Sequence, residues 1–251
     1  MQGTAPTFTG EITTEPFPSA GLEEHREREC LALLGRLQEM EIVAPARHYE
    51  AGQSIFLEGE PGDGLYVLTD GIARICKSYS GTKEVALRLV GSWEVFGDLA
   101  PVAQLVQGAT ARAFTECEVI KVPKVFIERA TKADREVAYR LLTILGLELA
   151  YQKELVGCLL PRTTDARLAV LLPLLARRFG EEAGGAVVLP RLTHMDLASM
   201  VAMTRESVTA ALRSLRRRGL IRAECQIISI LKPAELAEMG RQDFHDLEQG
   251  S

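Results

Sequence analysis

Residues 192–221 read LTHMDLASMVAMTRESVTAALRSLRRRGLI. Thr193, with Asp196 three residues on, makes a capping box, a hydroxyl for the third helical N–H and a carboxylate that reaches back. A helix is therefore predicted to begin there, with Leu197, Met200 and Val201 as its apolar face. It should end near Ala202-Met203, where Thr204 is placed to cap a second helix. That second helix would bury Val208, Ala211, Leu212 and Leu215 and stop at Gly219. Two short helices joined by a tight turn make a helix-turn-helix. Residues 221–230 then offer two short strands around 223–226, a wing.

What the second helix leaves exposed points to DNA. Arg205 and Glu206 stand at its start, with Thr209 and Arg213 along roughly the same face. The first residues of such a helix meet base edges in the major groove. An arginine can fork two hydrogen bonds onto guanine O6 and N7, and a glutamate can accept from cytosine N4. Arg213, Arg216, Arg217, Arg218 and Arg222 are candidates for phosphate contacts, joined by Thr193 and Thr204 at the two helix starts. His194, just after the first cap, is expected to face solvent or phosphate. Charge agrees with this placement. The chain carries a net −5, but residues 191–232 hold eight basic against three acidic side chains. On charge alone a solvated face explains the same pattern; a single polyanion-facing surface explains it together with the helices.

Upstream, residues 161–164 (Pro-Arg-Thr-Thr) read as a hinge, and a helix over 165–179 ends at Gly180 with Pro173 expected to kink or break it. Residues 124–159 are strongly helical in pattern. Ala138, Leu142, Leu145, Leu149, Gln152, Val156 and Leu159 alternate at four and three residues, a coiled-coil seam. A second stripe, Leu141, Ile144 and Leu155, can face the rest of the chain. A helix apolar on two sides needs two partners, so the seam is read as the contact of a homodimer. From about residue 43 to residue 122 short apolar runs at 54–58, 65–69, 72–77, 84–90 and 118–122 alternate with Gly-rich turns, including Gly59 to Gly64, Asp70-Gly71 and Ser80-Gly81. Evenly spaced strands of this kind imply an antiparallel β-roll of the jelly-roll type. Residues 22–41 look helical, with Leu31, Leu34 and Leu37 on one stripe.

The resulting plan is α+β: a disordered leader over 1–21, a β-roll sensor over 22–133, a dimerisation helix over 134–160, the hinge, a winged helix-turn-helix over 165–240 and a tail over 241–251. The apolar runs are far shorter than the ~20 residues of a membrane span. No N-terminal signal pattern is visible. Five dispersed cysteines suit a reducing cytoplasm better than a disulfide framework.

In this order the parts resemble the cAMP receptor protein / fumarate-nitrate regulator (CRP/FNR) family of bacterial transcription factors over roughly 40–232. The resemblance rests on Gly59-Glu60, Gly62-Asp63, Leu65-Tyr66 and Gly71, on Phe96-Gly97-Asp98-Leu99, and on Cys117-Glu118-Val119. Its most specific piece is Thr204-Arg205-Glu206-Ser207-Val208-Thr209, similar to the family's Ser-Arg-Glu-Thr-Val helix start. It implies a homodimer on a two-fold palindrome, half-sites ~34 Å apart, and more often activation, with RNA polymerase as a partner. It assigns Arg205, Glu206 and Thr209 to base reading. Ala210 stands where the family has a third reading arginine, so a TGTGA-like half-site is expected with one position read less strictly.

By the same resemblance an effector pocket would involve Gly97, Asp98, Leu99, Gly108, Ala109, Gln152 and Lys153. The family's Arg-Ser pair for the cyclic phosphate is replaced by Gln107-Gly108-Ala109. DNA binding without cAMP is therefore expected. Three readings stay open: another small effector reached from the seam, an empty roll whose DNA-binding form is stable alone, and Gln152 as a polar register residue. Cys30 is alone in the N-terminal region and the four histidines are dispersed, so neither an iron–sulfur cluster nor a metal site is expected. No nucleotide-binding loop or nucleophile signature supports an enzyme. A sensor module acting on a protein partner is the other reading, and it leaves Arg205, Glu206 and the basic stretch without a role.

Overall fold

The computed structural model describes residues 21–79, 83–97 and 106–249. The predicted leader, apart from Gly21, lies outside them, as do the Ser80-Gly81 turn, Asp98 and Leu99. The N-terminal body is a roll of two four-stranded antiparallel sheets. One has the order β1 (Arg47–Tyr49), β8 (Cys117–Pro123), β3 (Gly64–Asp70), β6 (Glu94–Phe96); the other β2 (Ser54–Phe56), β7 (Thr110–Ala113), β4 (Ala73–Tyr79), β5 (Lys83–Val90). Strand β3 is buried on both faces from Gly64 to Leu68. Tyr66 and Leu68 point into the roll beside Phe56 and Phe96. Leu65 and Val67 point outward under helices that cover the sheet.

Those helices are α1 (Leu22–Glu39), α2 (Lys124–Ala133) and the long α3 (Arg135–Gly157). In α1 the buried stripe is Cys30, Leu33, Leu34 and Leu37, and Leu31, expected in it, is 43% exposed. The stripe starts one residue earlier than expected, at Cys30, which with Leu34 packs on Val67 of β3. The helical stretch divides at Asp134, whose extended backbone (φ −133°) and side chain cap α3, the side chain accepting from the Glu136 N–H. Arg36 of α1 donates to the same carboxylate at 2.6 Å. Helix α3 ends at Gly157, two residues short of Leu159. Leu141 and Ile144 of its second stripe pack on α1 and the roll, whereas Leu155 joins the core of the C-terminal body.

That body opens with α4 (Thr164–Phe179), capped by Thr163. It runs through Pro173 without the local break that the proline could have forced. Leu168, Ala169, Leu171, Leu172, Leu174 and Leu175 are all buried around it, and this packing outweighs the missing hydrogen bond. A hairpin, β9 (Glu181–Ala183) and β10 (Ala186–Val188), follows. Then come α5 (His194–Met200), α6 (Arg205–Arg217), and a second hairpin of β11 (Ile221–Glu224) and β12 (Ile227–Ile230). Cys225 and Gln226 turn it with positive φ at both positions (48° and 66°), as two-residue hairpins require. The hairpins merge into one sheet, β11-β12-β10-β9. The last helix, α7 (Pro233–Gln249), continues past 240 and packs on α4. Among the described residues no helix is long and apolar enough to cross a membrane.

Candidate DNA-binding interface and effector pocket

The capping box of α5 is complete. Thr193 Oγ1 accepts from the Asp196 N–H at 3.1 Å, and Asp196 Oδ2 accepts from the Thr193 N–H at 3.0 Å. The Thr193 hydroxyl is thus spent on the cap. Asp196 is 5% exposed and also takes Arg74 of β4, at 2.6 Å. Helix α6 begins with Thr204 Oγ1 accepting from the Ser207 N–H at 3.1 Å and ends before Gly219 (φ 69°). Its buried face is Val208, Ala211, Leu212 and Leu215.

Opposite that face Glu206, Ala210, Arg213 and Arg217 form one exposed stripe, flanked by exposed Arg205 and Arg216. Spacings of four, three and four residues keep them in line along the helix. Glu206 is the one carboxylate there, so beside DNA it is held by a base donor or repelled by phosphate. Thr209 lies on the same side, half-buried, with its hydroxyl engaged within the protein. Its hydroxyl donates to the Arg205 carbonyl at 2.8 Å and lies 2.7 Å from His194 Nδ1. A hydroxyl has one proton, so with that proton on Arg205 the ring Nδ1–H must donate to Thr209. His194 therefore braces α5 against α6 rather than facing solvent. Burial, then Arg205 and Arg213, lower its pKa from the ordinary histidine value. Arg218 also departs: it folds back to Met239 of α7, at 3.1 Å.

Between the roll and α3 lies a cavity of about 380 Å³. Gly97, Gly108, Ala109 and Gln152 line it as the resemblance implied; Lys153 is exposed and outside the lining. Two cations line it that the sequence reading missed. Lys77 of β4 donates to the Gly108 carbonyl at 3.0 Å, and Arg88 of β5 meets Glu148 of α3 at 3.1 Å. Gln152 donates to the same Glu148 at 2.6 Å. The signals were the two-residue period of β4, which sets Lys77 beside inward Ile75, and the four-residue period Ile144, Glu148, Gln152 on α3. On the other side of α3, Leu142, Leu149 and Val156 are 68%, 58% and 57% exposed, with Tyr139 beside them. Ala138, Leu145 and Leu159, read with them as a seam, are half-buried, and Leu145 lines the cavity.

The chain matches the cyclic nucleotide-binding domain family over residues 46–134 and the Crp-like helix-turn-helix domain family over 166–239. The CRP-like cAMP-activated global transcriptional regulator of Mycobacterium tuberculosis is 31% identical over 195 residues, 77% of this chain and 87% of that protein. The chain belongs to the CRP/FNR family of transcription regulators. The global nitrogen regulator of Synechococcus elongatus is 26% identical over 84% of this chain and 97% of its own length. A CRP/FNR-family regulator from Thermus thermophilus superposes with a TM-score of 0.67 at 28% identity, covering 78% of this chain and 98% of that one. This CRP/FNR-family member therefore carries a cyclic-nucleotide-binding-type roll and a DNA-binding helix-turn-helix in one chain.

Proposed function

We propose that the protein is a homodimeric, sequence-specific transcription activator that reads a TGTGA-like palindrome through α6 and needs no cAMP to do so. The observation that carries the reading is the exposed stripe Glu206, Ala210, Arg213 and Arg217 with Arg205 beside it. Arg205 and Glu206 read bases, Ala210 leaves one position relaxed, and Arg213, Arg216 and Arg217 hold phosphates. Dimerisation is supported by the exposed apolar face of α3. Contact with RNA polymerase and activation rest on the family resemblance.

Independence from cAMP is supported by the cavity. Gly108 and Ala109 offer no side-chain donor, and the Arg88 guanidinium is already engaged by Glu148. An internal ion pair thus joins roll to α3 across the cavity wall. The test is fluorescence anisotropy of a labelled TGTGA-type palindrome at fixed salt, with and without cAMP. Equal, tight binding in both arms is expected. Binding only with cAMP overturns the effector reading, and no selectivity over a scrambled duplex overturns the operator reading.

A further inference from the structure

The DNA-binding body is held on the roll by a buried ion cluster that shares Arg88 with the cavity wall. Arg178, in the last turn of α4, has a side chain 1% exposed. Its guanidinium lies over the Tyr151 ring of α3, 3.6 Å from the centroid, and pairs with Glu94 of β6. Glu23 of α1 stands 3.5 Å from it. Glu94, 4% exposed, also faces Arg26 at 3.5 Å and Arg88 at 3.7 Å. One carboxylate thus gathers guanidinium groups from α1, β5 and α4. Beside it Phe179 presses on the end of β5, its Cε1 3.1 Å from where a Cβ on Gly91 would stand, so that a larger residue there would require the ring to give. The Arg74–Asp196 pair ties β4 to α5 at a second point.

Buried ion pairs roughly break even against apolar packing, so stability alone does not account for such a cluster. The planar guanidinium fork does supply direction. The cluster includes Tyr151, which is on the helix carrying the exposed apolar face, and Arg178, which is on the helix that packs against α6. We propose that Glu94 and Arg178 are positioning residues for operator binding: they set the angle at which α6 is presented relative to α3, and with it the half-site spacing the dimer accepts. The proposal rests on the dimer-and-palindrome reading.

The test uses the full-length protein with Glu94→Gln and Arg178→Lys, and duplexes carrying one half-site or palindromes of graded spacer length. Both variants should bind the single half-site within about twofold of wild type. Glu94→Gln should bind the best palindrome about tenfold more weakly, because misdirected heads lose effective concentration. Its preference for that spacing over neighbouring ones should flatten, and Arg178→Lys should fall between it and wild type. Circular dichroism melts report folding, and if Glu94→Gln does not fold, Arg178→Lys decides alone. An unchanged spacing preference, or equal losses on half-site and palindrome, overturns the positioning role while leaving the dimer reading intact. A wild type that binds half-site and palindrome equally overturns both.

Discussion

Replacing Leu149 with aspartate tests the dimer through its exposed helix face. Leu149 is 58% exposed in the protomer. Complete burial of a leucine contributes ~1.5–3 kcal/mol, so covering the exposed part would contribute about 1–2 kcal/mol per protomer. A two-fold interface uses each residue twice, giving about 2–4 kcal/mol for the pair. At 1.4 kcal/mol per decade, its loss weakens dimerisation by about 30-fold to several hundred-fold. Two carboxylates facing each other across the seam add to this. The protomer should survive, since Leu141, Ile144 and Leu155 on the buried side of α3 are untouched. Sedimentation velocity over a dilution series should show Leu149→Asp as a monomer at concentrations where wild type is dimeric. Palindrome affinity should fall toward that of one half-site. A variant that sediments as wild type at every dilution refutes the placement of the dimer contact on this face.

The remaining predictions concern the reading head. Arg205→Ala should lose about 1–3 kcal/mol on the cognate site and little on a scrambled one; equal losses on both would remove Arg205 from base reading. Arg217→Ala should weaken every sequence alike and lower the salt slope by about one, so a sequence-selective loss would reverse the assigned roles. Thr204→Ala removes the acceptor for the Ser207 N–H and should cost ~1 kcal/mol in denaturant unfolding with an unchanged m-value. Because burial, Arg205 and Arg213 lower the His194 pKa, the folded chain binds its proton less readily than the unfolded one. Its contribution to stability is full above about pH 6.5 and is lost as pH falls through the folded value. His194→Gln should therefore show a shallower acid loss of thermal midpoint, and an identical slope would count against the argument.

The helix-turn-helix was legible because its signals are local. Two threonine caps, an aspartate three residues on and a glycine after the second helix mark the ends, and the four residues read as its buried face are the four that pack. The long strands were legible by period; among those of three or four residues, β2, β11 and β12 were read from the turns beside them, whereas β1, β6, β7, β9 and β10 were not. The long helix was expected from residue 134, and Asp134 before Arg135-Glu136 is its cap. For Thr209 spacing gives the face but not the partner: its hydroxyl meets His194 of the neighbouring helix.

Period alone could have pointed Lys77 and Glu148 at the cavity, but the pairing of Arg88 with Glu148 and the buried cluster were out of reach of the sequence because their members meet only in three dimensions. In space they form one series: Gln152 and Glu148 on α3, Arg88 on β5, Glu94 on β6, Arg178 on α4. Each member contacts the next, and the ends are the cavity wall and the DNA-binding body. The apolar core is likewise continuous from Ala86 and Leu89 of β5 through Leu155 to Leu168 and Leu197. Packed cores respond to a perturbation by switching arrangement rather than by bending gradually. Arg88 thus faces the same carboxylate that holds Arg178.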